Sequence, residues 1–411
     1  MLIRKIYFVV IMILISAGLL TSAENNVLRI SVKEKQGLAR DLEYIEINCQ
    51  LPPYLAGTAE SVFIAQDPET VKEIPCQTYL QKTSGGDDRV LVQIIFPVSV
   101  KANQEKVFHI IRIEKLPAVA SDLKLTGQGT ELIVDNEFYQ ANLTKSDAAE
   151  PQSHKSGQIR ELLIKMGFNQ LLTNAEDRLH WAPNFKRPEL EWYTTIAHWE
   201  SPKMNEIHSG PYEIRTVRQD LAPDHPEIML TAVYRFYAGL PWFRFFSRME
   251  MKDNVWLELL RNDEMAMDSM FTHVAFERPG GEIVDVAFTD RYELLKNQPI
   301  ENECPWICFY NIDKGFAFGS IRVHYDNTNL FGDVSPTWQP HTQIGEWLHG
   351  IKYWNRRLIN DHLIFVPKGS CYSEENAYLV FRIQQKGDRL QEIRDWAERI
   401  RHPLQVNIEY P

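Results

Sequence analysis

Tyr234-Arg235-Phe236-Tyr237 and Trp242-Phe243-Arg244-Phe245-Phe246-Ser247-Arg248-Met249 are separated only by Ala238-Gly239-Leu240-Pro241. Two runs rich in aromatic residues, joined by a short segment containing Gly and Pro, predict a β-hairpin. The same signal recurs on both sides of it. Toward the C-terminus, strands are predicted at Ile283 to Phe288, Trp306 to Tyr310, Ala317 to Tyr325 and Ala377 to Ile383. Toward the N-terminus, a long unit opens at Thr130-Glu131-Leu132-Ile133-Val134-Asp135-Asn136-Glu137-Phe138-Tyr139. A dozen or more strands over ~250 residues, with no internal repeat, predict a large antiparallel architecture spanning 130–383.

A smaller unit precedes it over 27–117. Ile30-Ser31-Val32, Tyr44 to Ile47, Ser61 to Ile64, Val90 to Phe96 and Val107 to Ile113 are its predicted strands. Their spacing of roughly 10–20 residues suits a small sandwich or barrel. A polar stretch from Leu116 to Gly129 links the two. Helical spacing is clear only at Leu390, Ile393, Trp396, Ala397 and Ile400, which predicts one amphipathic helix ended by His402-Pro403, within a C-terminal segment 388–411.

The first 23 residues read as a cleavable signal peptide. Arg4 and Lys5 precede the apolar run Ile6 to Leu20, and Thr21-Ser22-Ala23 supplies small residues for cleavage. That run, about 15 residues, is short beside the ~20 of a membrane span, so an uncleaved anchor is the competing reading. The expectation is a secreted or periplasmic protein, free of the membrane once the signal is removed. A formal net charge of −11 without a basic stripe argues against a nucleic-acid partner. Five cysteines are present, an odd number, so at least one thiol stays unpaired within the chain. A Cys49–Cys76 bridge is open from sequence alone. Cys304 and Cys308 lie four apart on one strand face and read as buried small residues, with no matching ligand pair to make a metal site. No metal and no cofactor are expected, and the oligomeric state is not set by the sequence.

Three constellations carry possible chemistry. The first includes His180, Trp181, His198, Trp199 and His208, where imidazoles suited to proton transfer stand beside indoles. Packing of each His against its Trp is the competing reading. The second is Arg261-Asn262-Asp263-Glu264, which reads as a strand end opening onto a surface. The third combines Lys352-Tyr353-Trp354-Asn355-Arg356-Arg357 with Tyr372-Ser373-Glu374-Glu375-Asn376-Ala377-Tyr378. Aromatic faces, planar guanidiniums and carboxylates are what saccharide recognition requires. Arg356 and Arg357 must face opposite ways on a strand, so at most one reaches a ligand. The preferred catalytic set is His198, His208, Tyr353, Arg356 and Glu375. The preferred substrate contacts are His180, Trp181, Trp199, Arg261, Asp263, Trp354, Asn376 and Tyr378. An interdomain salt-bridge network is the alternative for the third group.

Leu132-Ile133-Val134-Asp135-Asn136-Glu137-Phe138-Tyr139, following a β unit that contains Gln77-Thr78-Tyr79, resembles the opening of the galactose-mutarotase-like supersandwich. The preceding unit is similar to β domains placed before that module in polysaccharide lyases, notably the exo-acting rhamnogalacturonan lyase-like group. The resemblance implies an all-β fold: a small N-terminal β-sandwich or barrel, a large antiparallel β-supersandwich and one C-terminal helix. It also implies a carbohydrate-active enzyme with a poly- or oligosaccharide substrate. The Arg, His and Tyr supply fits β-elimination at a uronic acid. Glycoside hydrolysis or epimerisation through His and Glu, and non-catalytic carbohydrate binding, are the alternatives. The chain departs from many such lyases in having no room for an α/α toroid, so the supersandwich itself would hold the site.

Overall fold

The computed structural model describes residues 26–56, 62–82, 89–115, 117–143, 155–173, 178–268, 270–289, 299–347, 350–384 and 386–410. The predicted signal segment lies outside them. Two compact units are present. One holds the described residues up to Ala120 together with those from His402 onward, and the other runs from Ser121 to Arg401. Among the described residues no helix is long and apolar enough to cross a membrane.

The first unit is a β-sandwich. Strand Arg40–Leu51 turns Ile45, Ile47, Cys49 and Leu51 inward and leaves Asn48 and Gln50 exposed, as the period of two requires. It pairs with Val90–Val100, and that strand pairs with Gln77–Lys82. Opposite stands a five-stranded sheet in the order Gln405–Glu409, Asn26–Lys33, Glu105–Ile113, Val62–Gln66 and Glu73–Pro75. Ile30, Val32, Phe63, Val92, Ile94, Phe96, Phe108 and Ile110 fill the space between. The tail that follows the helix in sequence is thus an edge strand here, with Ile408 opposite Ile30. Arg40, buried, pairs with Glu43 at 3.0 Å and donates to the His402 carbonyl at 2.7 Å. Cys49 and Cys76 are both buried free thiols, so no bridge joins them, and burial pushes Cys49 up to about 11.

The second unit contains the predicted hairpin. Strands His225–Tyr237 and Trp242–Met251 pair with Phe236 opposite Phe243, inside a nine-stranded antiparallel sheet. Its other members include Phe316–Asp326 and Cys371–Arg382, so the whole of Tyr372 to Tyr378 lies on one strand. The Asp135 to Tyr139 motif has a definite mechanical role. Asn136 Oδ1 accepts from the Phe138 and Tyr139 amides, and its Nδ2 donates to the carbonyls of Tyr237 and Leu240, each at 3.0 Å. It therefore locks its own turn onto the hairpin turn. Part of the expected linker is regular structure: Lys124–Gln128 pairs with Glu131–Asp135.

Helix Gln391–Arg401 buries Ile393, Ala397 and Ile400 and packs on the nine-stranded sheet. Gly319 permits that approach, because a Cβ there would come 2.8 Å from Ile393 Cδ1 and 2.9 Å from Cys308 Cβ. Facing the large sheet is a six-stranded one, in the order Thr194–Thr195, Asn184–Lys186, Leu259–Met267, Lys352–Ile359, His341–Glu346 and Ile300–Glu301. Trp354 projects from it onto Phe309 and Phe318 of the large sheet, with ring centroids 4.8 and 5.9 Å away. That aromatic contact marks the inner layer of a supersandwich.

Candidate active site on the outer face of the six-stranded sheet

The inner layer holds six of the predicted site residues. His180, Asp263, Trp354, Arg356, Asn376 and Tyr378 are all at or below 4% exposed. Asp263 accepts from Tyr378 Oη and Ser320 Oγ at 3.0 Å and from Trp354 Nε1 at 3.4 Å. Tyr378 continues to His180 Nε2 at 3.5 Å, and His180 Nδ1 is bonded to Tyr234. Arg356 lies 3.3 Å from Glu374, which also accepts from Asn376 at 3.0 Å. Burial lifts Asp263 to about 6 against the pull of Arg322, and burial drives His180 well below its ordinary range. These groups are a sealed polar network between sheets, not a surface that a saccharide can touch.

A β-bulge explains why Asp263 is inside. The register along strand Leu259–Met267 slips between Asn262 and Met265, and Asp263 adopts φ 48°. The extra residue sends both Asn262 and Asp263 toward the large sheet, where Asn262 bonds Ser247 at 2.9 Å. The expected surface strand end is therefore the middle of a strand, and only Arg261 and Glu264 of the four remain for the outer side. Arg356 is inward for a simpler reason. Strand alternation gives one of each consecutive pair to the interior, and Trp354 fixes the parity.

Tyr353, Asn355 and Arg357 consequently lie on the other face. There, Asn184, Arg261, Arg357, His341 and Glu301 stand in one cross-strand row over five strands. Two guanidiniums placed directly opposite each other are unfavourable unless anions are near. Arg357 donates to Asp361 at 3.0 Å and to Asn360, while Arg261 sits 3.8 Å from Glu264 and 5.2 Å from the centre of the Tyr193 ring. Burial and the neighbouring Arg261 both hold Arg357 below its ordinary range. Glu264 is held by Asn184 Nδ2 at 2.8 Å.

Beside the row opens a cavity of about 390 Å³, lined by Gln339, Pro340, His341, Gln343, Arg357 and Asn360 among others. His341 Nδ1 is 2.7 Å from the Gln339 carbonyl, which fixes the N–H on Nδ1 and leaves the lone pair on Nε2. Burial lowers its pKa, and Arg357 adds to that, so the ring is neutral near pH 7. Tyr353 lies across Gly345, where a Cβ would come 2.0 Å from its Cζ. Burial raises the phenol, which keeps its proton. Among the described residues, Asn355 Nδ2 and the Oε1 of its register partner Gln343, which lines the cavity, have no hydrogen-bond partner. Among the described residues no group of three His, Cys, Asp or Glu side chains is placed to hold a metal ion.

The remaining predicted residues lie elsewhere. His198 and Trp181 meet edge to face at 6.4 Å, and Trp199 Nε1 donates to the Leu221 carbonyl at 2.7 Å. His208 belongs to a different row, with Arg215, Arg235 and Arg244 in register across the nine-stranded sheet. Glu213 pairs with Arg215 and Arg235 there, and Glu375 lies 3.2 Å from Arg244. Of the predicted set, Arg261 and Tyr353 lie on the same sheet face as the cavity. Arg357, His341 and Gln343 line it. The i, i+4 spacing of Tyr353 and Arg357 was the one signal in the sequence favouring Arg357 over Arg356.

No protein-family model and no curated protein matches the chain. Its fold recurs in solved structures. A glycosyl hydrolase family 38 protein from Enterococcus faecalis aligns over 93% of this chain and 47% of that one, with 11% identity and a TM-score of 0.50. An α-mannosidase from Enterococcus faecalis V583 aligns over 93% and 46%, with 12% identity and a TM-score of 0.53. The chain thus spans about half the length of each, and at that identity the likeness is one of fold alone. A galactose mutarotase related enzyme from Lactobacillus acidophilus also aligns, over 62% of this chain, at a TM-score of 0.35 that is too low to bear on the fold.

Proposed function

We propose that this is an exported carbohydrate-active protein that binds an acidic glycan in the groove of Arg261, Arg357, His341 and Tyr353, and cleaves it by β-elimination. The observation that carries this is the guanidinium pair placed in direct register beside a cavity. Each Arg presents a planar fork suited to a uronate carboxylate. Neutralising that carboxylate makes the C5 proton acidic, and His341 Nε2 can accept it. The electrons released form the C4–C5 double bond as the C4–O bond breaks, and the protonated phenol of Tyr353 supplies a proton to the departing oxygen. Export rests on the charged and apolar pattern of residues 1–23.

A second reading, hydrolysis, is favoured by the names of the proteins that share the fold. It requires two carboxylates flanking the bond, about 5–9.5 Å apart. Glu264 and Asp361 are already engaged by Asn184 and Arg357, which is why elimination stands first. Incubation with uronate polysaccharides under ultraviolet detection separates the readings. Elimination creates an absorbing conjugated double bond. Reducing sugar without absorbance would mean hydrolysis, and binding with neither would mean a non-catalytic module.

A further inference from the structure

Near the cavity runs a strip of exposed aromatic and apolar side chains that the elimination chemistry does not use. Trp338 adjoins Gln339 of the cavity wall, and His362 follows the Asn360-Asp361 pair that holds Arg357. The two rings stack at 4.2 Å and 16°. Trp338 is tied in place by its amide, which donates to the Leu358 carbonyl at 2.9 Å, and the His362 amide donates to the Glu258 carbonyl at 3.1 Å. Beyond them, Val255–Leu257 and Ile364–Val366 form a two-stranded ribbon. In sequence, one of these short strands directly precedes the strand that carries Arg261 and the other follows the strand that carries Arg357. Trp256 and Phe365 stand opposite each other on the ribbon with ring centroids 5.2 Å apart. Trp338, Phe365, Leu363 and Trp256 are 39, 42, 45 and 51% exposed, so the strip is open to a ligand.

We infer that this strip extends the groove into further subsites, on which successive rings of an acidic glycan chain stack their C–H faces. The inference rests on the acidic-glycan reading of the Arg261–Arg357 face and adds to it that the substrate is a chain, held at several rings. Two features favour a glycan over a protein partner. The rings are held on hydrogen-bonded backbone and so are preorganised. Trp338 and His362 each lie within two residues of a residue that lines the cavity, Gln339 and Asn360.

Calorimetric titration with galacturonate oligomers of two and six residues tests this, using the full chain, Trp338→Ala, and the double variant Trp256→Ala/Phe365→Ala. The wild type is expected to bind the hexamer at least about tenfold more tightly than the dimer, the size of one or two aromatic contacts. Each variant should lose most of that advantage while its affinity for the dimer is unchanged. If Trp338→Ala fails to fold, the double variant on the outlying ribbon carries the test. An unchanged hexamer-to-dimer ratio in the folded variants overturns the inference. So does light scattering that shows the strip joining two copies of the chain, with the ratio kept. Failure of the wild type to bind either oligomer would instead defeat the acidic-glycan reading itself.

Discussion

Arg356 and Arg357 are adjacent in the chain and opposite in consequence. Arg356 faces Glu374 and the Tyr325 ring, with its guanidinium 3.9 Å from the ring centre, while Arg357 faces the groove. Removing one member of a buried ion pair costs about 3–5 kcal/mol, because the other charge is left uncompensated. Arg356→Ala should therefore lower the midpoint of chemical denaturation sharply, whereas Arg357→Ala should leave it nearly unchanged and weaken uronate binding. Equal stability loss in both would contradict the assigned faces. His225 offers a second residue-scale test. It is fully buried, neither ring nitrogen has a hydrogen-bond partner among the described residues, and burial, aided by Arg187, depresses it to about 4. In the unfolded chain it titrates near 6.5. The unfolded state then binds the extra proton, so the contribution of neutral His225 is complete above about pH 6.5 and falls as pH drops toward 4, by roughly 3 kcal/mol. Denaturation of His225→Gln across that window should show a flatter pH dependence than the wild type. An identical slope would remove His225 as the cause. The opposite facing of Arg356 and Arg357 was legible from strand alternation, but which of the two faced solvent was not.

At the scale of elements, the hairpin, the C-terminal helix and most strands were legible because their apolar periodicity is local. The bulge at Asp263 was not. No glycine marks it, and Asp263, at positive φ, is bonded to Ser320 and Tyr378 from two strands far away in sequence. The cross-strand row was equally hidden, since register depends on which strands pair and not on any one of them. Gly345 shows what that pairing demands. Gly345→Ala would drive a Cβ into the Tyr353 ring and force the ring to move. The expected cost is about 1–3 kcal/mol in stability together with loss of cleavage. Tyr353→Phe should lose cleavage with stability kept. Retained activity in Tyr353→Phe would exclude the phenol as proton donor.

At the scale of the molecule, two features separate what sequence could say from what the fold adds. The aromatic and arginine content pointed to saccharide recognition. Yet the residues chosen from it divide among the sealed intersheet network, the row across the nine-stranded sheet, the packed Trp181–His198 contact with Trp199 nearby in sequence, and the outer face of the six-stranded sheet, because composition carries no information about facing. The tail after His402 likewise leaves the helix it follows and becomes an edge strand beside Asn26–Lys33. Recognition of a sugar carboxylate by Arg261 and Arg357 together is tested by a pair of titrations, one with galacturonate oligomers and one with the same oligomers reduced at the carboxyl group. Reduction should weaken binding to the wild type by about 100-fold, equivalent to two charge-assisted contacts at ~1.4 kcal/mol each. It should have little effect on Arg261→Ala/Arg357→Ala. Equal affinity of the wild type for the acidic and the reduced oligomers would rule out the guanidinium pair as the carboxylate site.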